Sequence, residues 1–152
     1  MPRSVPNSVL FCCDHNAVRS PMAEGLTKLY YGKKFFIQSA GIVSDLEIDG
    51  FAISVCEEMG VILAKHQPRS FLDMHNWGDP IDSFDLVVTL STASKQQVME
   101  ATRSYAVKVI YWEISEPTGY YLHKEAKLEN YRKIRDEISE HLVSYFGPRD
   151  IN

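Results

Sequence analysis

The run V-L-F-C-C from Val9 to Cys13 is apolar and short, and it breaks directly into D-H-N-A-V-R-S-P before a helix-forming series begins at Met22. A run of this length reads as a buried central strand over Ser8–Cys13. A strand that stops at a cysteine, turns, and restarts as a helix confines the chain to an α/β architecture with the turn at the strand's carboxyl end. The spacing from Cys13 to Arg19-Ser20 is C-x5-R-S. Such a turn wraps an anion, with successive amides and the start of a helix directed at the negative charge.

Arg19 closes the ring, because its planar guanidinium can give two parallel hydrogen bonds to a tetrahedral oxyanion, which a lysine cannot. The same field favours the thiolate of Cys13 and makes it a nucleophile directed at phosphorus. The bland alternative, a small core cysteine and a surface arginine, does not explain Asn16 inside the loop or Ser20-Pro21 after it. The cradle is therefore expected to comprise Asp14, His15, Asn16, Ala17, Val18, Arg19 and Ser20 around Cys13.

Downstream, apolar residues at Met22, Leu26, Leu29 and Tyr30 predict a helix over Met22–Tyr31 ended by Gly32. A second strand follows over Phe35–Ser39 and a helix over Phe51–Met59, with Cys56 in the core. A short helix is expected over Ser70–His75. Phe84–Leu90 is a continuous β-rich strand, after which Ser91 and Thr92 can cap a helix whose inner face carries Val98 and Ala101. Val107–Trp112 forms a fourth strand. Leu128, Tyr131, Ile134, Ile138 and Leu142 mark a long closing helix over Lys124–Phe146. Met1–Asn7 reads as a loose lead-in. Strands alternating with helices predict a three-layer α/β fold, a four-stranded parallel sheet with helices on both faces, as one domain over residues 1–152.

The 152 residues, 45% hydrophobic with a net charge of -4, suit one packed domain and leave no basic stripe for nucleic acid. No apolar run is of membrane length, and no signal-type segment leads the chain, so membrane is not an expected partner and the expected location is the cytoplasm. Three cysteines, two of them adjacent, form neither a disulfide framework nor a metal-ligand pattern. His15, His75, His123 and His141 have no ligand spacing either, and neither metal nor cofactor is expected.

The motif C-x-x-N-x-x-R-S-P-x-A-E resembles the low-molecular-weight protein tyrosine phosphatase family and its arsenate reductase relatives. The resemblance extends through Gln38-Ser39-Ala40-Gly41, the His66 segment, Phe84-Asp85 and the Glu116-Pro117 region. It implies that Ser39 holds Asn16 in an unusual conformation, although Ser39 is equally a strand-end turn residue, and that His66 supports the loop as a structural hydrogen-bonder. It also implies an acid before a proline, after the last strand. Here that place is held by Glu116-Pro117 rather than aspartate, with Glu113 a weaker rival and Asp79-Pro80 a decoy ahead of the third strand. Tyr120 and Tyr121 follow as a wall for a phenyl ring.

Two further departures matter. His15 replaces the usual glycine, and Val18 replaces the second loop cysteine of many members. The implied substrate is a phosphotyrosine protein or a small aryl phosphate. The alternatives are an arsenate reductase that uses Cys13 with a small thiol, since Val18 and Ser91 occupy places where relay cysteines would be sought, and an anion-binding module with little or no catalysis.

Overall fold

The structure, a computed structural model, describes residues 6–32, 34–118 and 123–150. Four strands, β1 (Ser8–Cys13), β2 (Phe36–Gly41), β3 (Leu86–Thr89) and β4 (Lys108–Tyr111), form a wholly parallel sheet in the order β2-β1-β3-β4. β1 is central and apolar on both sides, from Val9 to Cys12 without solvent exposure. The chain leaves β1 toward β2 on one flank and later returns to β3 on the other. This divergence opens a crevice at the carboxyl end of β1, where Cys13 lies.

Among the described residues five helices, α1 (Arg19–Tyr31), α2 (Gly50–Glu57), α3 (Phe71–Asn76), α4 (Thr92–Ala101) and α5 (Lys124–Phe146), cover the sheet. The pleat sorts β1 between two cores. Val9, Phe11 and Cys13 join the side chains of α1, α2 and α5. Leu10 and Cys12 join Phe71 and Met74 of α3 and Val98 of α4. Alternation along one strand thus sends adjacent cysteines to opposite faces.

Five apolar residues anticipated for α5, Leu128 through Leu142, are the ones it buries. Elsewhere the boundaries shift. α1 begins at Arg19 rather than Met22, so Arg19 and Ser20 occupy its first turn. Its inner stripe runs through Met22, Ala23, Leu26 and Tyr30, and Leu29 turns outward at 46% exposure. In α4, Ser91 alone is the cap, with Thr92 already helical, and the inner face carries Ser94 and Val98 while Ala101 is exposed. β3 is shorter than expected because a 3-10 turn over Ile81–Ser83 feeds its start. β2 runs on to Gly41 and α2 stops at Glu57.

Of the expected loose lead-in, residues 1–5 lie outside the described residues. Asn7 is tied down: its amide donates to Asp85 Oδ2 at 2.8 Å and its carbonyl accepts from the Phe36 amide at 2.8 Å. Among the described residues no helix is long and apolar enough to cross a membrane.

Candidate active site

The loop between β1 and α1 is held from outside through its carbonyls. Those of Cys13, Asp14, His15 and Ala17 accept from the amides of Ile42, Val43, Asp45 and Asp49 at 3.0–3.2 Å. α1 adds its own free end, since its N-cap residue, Val18, makes no side-chain cap. Val18 and Arg19, at this helix start, line one cleft together with Cys13. A helix start and a guanidinium beside a cysteine are groups that can take an oxyanion.

Asn16 pins the loop. It is the one non-glycine residue with positive φ among the described residues, at 56°, in the region asparagine tolerates. Its side chain is saturated: Nδ2 donates to Ser20 Oγ at 2.9 Å and to Ser39 Oγ at 3.0 Å. Oδ1 accepts from the Arg69 amide at 2.9 Å and is paired with His66 Nε2 at 2.9 Å. Because Oδ1 can only accept, Nε2 carries a proton. Burial, the leading cause, lowers the His66 pKa from its ordinary value and favours the neutral form.

Behind this layer lies Glu24, the last residue of the C-x-x-N-x-x-R-S-P-x-A-E motif. It is 7% exposed. Ser39 Oγ donates to Glu24 Oε1 at 2.6 Å, Lys28 Nζ donates to Oε2 at 2.6 Å, and Arg69 Nη2 stands 3.7 Å away. Arg69 Nε donates in turn to the Ser39 carbonyl at 3.0 Å. Ser39 is therefore both a strand residue and the link between Asn16 and Glu24. The one local hint was the i, i+4 pair of Glu24 and Lys28.

Cys13 sits at the base of a cleft of about 360 Å³ lined also by His15, Ala17, Val18, Asp49, Glu116 and Tyr131. Its Sγ is 2.9 Å from Ser20 Oγ. Arg19 Nη1 donates to the carbonyls of Leu90 at 3.3 Å and Ile114 at 3.2 Å, which leaves Nη2 as the atom facing acids. Nη2 stands 3.6 Å from Asp14 Oδ2 and 3.8 Å from Glu116 Oε1. Glu116 thus lies at the mouth of the Cys13 cleft with its side chain 69% exposed.

Glu113 lines the adjoining cleft rather than that of Cys13. Asp79 lies on the connection into the start of β3, the end of the sheet away from Cys13. The His15 side chain turns out to Asp45, with Nδ1 3.2 Å from the carboxylate. Tyr120 and Tyr121 lie outside the described residues. Asp49, not anticipated for the site, caps α2 through the Phe51 and Ala52 amides and accepts from the Tyr131 hydroxyl at 3.0 Å. No group of ligating side chains that could hold a metal occurs among the described residues.

A parallel sheet whose central strand ends in a cysteine, followed by a short loop and a helix opening on an arginine, defines a class of α/β proteins. The profile of one such family, the low molecular weight phosphotyrosine protein phosphatases, matches residues 8–150. The chain belongs to this family. It is 30% identical over 138 residues to an arsenate reductase of Bacillus subtilis (strain 168), covering 90% of this chain and 93% of the relative. Among solved structures, an arsenate reductase from Archaeoglobus fulgidus superposes with a TM-score of 0.68 at 28% identity, over 91% of this chain and 98% of the other. A tyrosine phosphatase of Erwinia amylovora superposes at 0.69 with 24% identity, over 93% and 95%. The relatives thus carry both phosphatase and arsenate reductase activities by name.

Proposed function

We propose that the chain is a phosphatase that hydrolyses phosphotyrosine or aryl phosphate monoesters through a cysteinyl-phosphate intermediate. The observation that carries this reading is the placement of Glu116 at the mouth of the Cys13 cleft, 3.8 Å from the arginine of the cradle. A thiolate on phosphorus needs a proton for the departing oxygen, and an acid here can supply it.

In the first step Sγ of Cys13 forms a bond to phosphorus as the ester oxygen leaves with the proton of Glu116. Ser20 Oγ, 2.9 Å from Sγ, steadies the sulfur charge before attack and after departure. Arg19 Nη2 and the loop amides take up charge on the phosphoryl oxygens, the largest contribution expected in such chemistry. In the second step water attacks phosphorus, gives its proton to the Glu116 carboxylate, and the S–P bond breaks to return the thiolate and inorganic phosphate.

A second reading is favoured by the 30% identity to an arsenate reductase: Cys13 bonds to arsenic and an external small thiol resolves the adduct. Val18 and Ser91 supply no relay thiols, and Cys12 and Cys56 are both fully buried. The reductase version therefore needs a thiol from solution.

The deciding experiment is turnover of an aryl phosphate by wild-type protein and by Cys13→Ser, alongside arsenate-dependent oxidation of a small thiol. Hydrolysis is expected in the wild type and absent in the variant, which keeps phosphate binding because the amide cradle remains. Steady turnover by Cys13→Ser, or thiol oxidation without phosphatase activity, would overturn the reading.

A further inference from the structure

The cradle contains a feature at odds with binding a fully ionised phosphate. Asp14 follows Cys13 directly and lines both the Cys13 cleft and the larger cleft beside it. Its carboxylate stands 3.6 Å from Arg19 Nη2, and Glu116 stands 3.8 Å from the same nitrogen, while Nη1 is held by the Leu90 and Ile114 carbonyls. Two carboxylates thus already face the single cation intended for the ligand.

Asp14 is not free to swing away. Its Oδ1 accepts from Ser91 Oγ at 2.6 Å, and that hydroxyl also caps α4 by accepting from the Ser94 amide at 3.2 Å. Oδ2 is left facing Arg19. The other titratable groups lining the two clefts are Cys13, His15, Asp45, Asp49, Tyr111, Glu113, Tyr131 and Glu137; only His15 among them can become a cation, and its ring turns out to the Asp45 carboxylate, with Nδ1 at 3.2 Å.

We infer that Asp14 is a specificity-determining residue that makes the cradle select an oxyanion still carrying a proton, a phosphate monoanion over a dianion. The inference rests on reading the Cys13 loop as an oxyanion site. An ionised carboxylate only accepts hydrogen bonds, and a bare phosphoryl oxygen only accepts them too. Placed together, they repel. A proton on the ligand converts this contact into an O–H···O⁻ hydrogen bond of the short, charge-assisted kind. The oxyanion then shares Arg19 Nη2 with Asp14 instead of competing for it. Sulfate, with the same shape but no proton at working pH, cannot make that contact.

The test is calorimetric titration of the wild-type protein with methylphosphonate, whose monoanion keeps one P–OH proton and whose dianion keeps none, and with sulfate, at about pH 5.5 and about pH 9, on either side of the second ionisation of such phosphate-like groups. At the lower pH the wild type is expected to prefer methylphosphonate by at least about tenfold, the size of one hydrogen bond to a charged group, and to lose most of that preference at the higher pH. In Asp14→Asn, sulfate binding should tighten and the ratio should fall toward one. Asp14→Ala should move it the same way without adding a donor.

Equal binding of the two ions by the wild type would overturn the selection while leaving the oxyanion cradle standing. Parallel weakening of both ions in the Asp14 variants would reduce Asp14 to a prop for Arg19 and overturn it as well. Failure of the wild type to bind either ion would overturn the cradle and the selection together.

Discussion

Glu116, the acid of the proposed reaction, is a glutamate where the family resemblance implies an aspartate. Glutamate carries the same acid as aspartate on a stem one methylene longer, and a misplacement of about an ångström in a reacting group can cost about a hundredfold. Its carboxylate is drawn toward Arg19 Nη2, yet the side chain remains 69% exposed, so it is held by one partner and not locked by packing. An acid in that position matters in proportion to how poorly the leaving group departs unaided. Glu116→Gln should therefore slow alkyl phosphates about a hundredfold, while esters of acidic phenols lose far less. Steady-state rates over a series of leaving groups check this. A uniform loss across the series would make Glu116 a binding residue. The same selective loss in Glu113→Gln or Asp79→Asn would transfer the acid's role to that residue, against the placement of both away from the Cys13 cleft.

The loop is only as fixed as the elements behind it, and the end of β2 lies closest. Gly41 pairs in register with Cys13, and a Cβ built there would meet the Val43 carbonyl oxygen at 2.6 Å, the Asn16 amide nitrogen at 2.7 Å and the His15 carbonyl carbon at 2.9 Å. All three are backbone atoms and cannot rotate aside. Gly41→Ala should cost about 1–3 kcal/mol of stability by overpacking, and should weaken phosphate binding because the displaced backbone is that of the cradle. Thermal unfolding and a phosphate titration read the two effects separately. Lost stability with unchanged phosphate affinity would show that the strain is absorbed away from the loop. The residues that dictate this geometry were only partly legible in the sequence. β1, α5 and the Cys13 to Arg19 spacing are local patterns of period or distance, and period survives in any tertiary context. Leu29 and Ala101 fit a helical stripe equally well but face solvent, because the neighbouring layers decide which side of a helix is covered. Glu24 and Arg69 were harder still, since the bonds that join them to Ser39 and Asn16 span 15 to 53 positions of chain and leave no spacing signature, and the Asn16–Ser39 bond itself is anticipated only through the family resemblance.

Across the whole molecule the fold distributes its three cysteines so that none can protect another. Cys12 and Cys13 are consecutive in β1 and point into opposite cores, while Cys56 is buried on α2. Consecutive α-carbons are about 3.8 Å apart, short of the usual disulfide range of about 4.4 to 6.8 Å, and the alternation of the strand carries the two sulfurs further away. Chemistry adds to geometry. Burial, reinforced by the charge of Cys13, raises the Cys12 pKa well above its ordinary value, and burial pushes the Cys56 thiol up to about 12 against a partial opposing pull from Arg135. Neither offers a thiolate to attack an oxidised partner at neutral pH. Val18 occupies the loop position from which a second cysteine would act in many relatives. Peroxide should accordingly carry Cys13 to sulfenic acid and then to the irreversible higher acids, with activity recovered by dithiol only at early times. Intact mass and peptide mapping after graded peroxide check this: stepwise gain of oxygen on the Cys13 peptide is expected. A dominant disulfide from Cys13 to Cys12 or Cys56, with full recovery of activity on reduction, would mean that β1 or α2 opens far enough in solution to bring those buried thiols to the cleft.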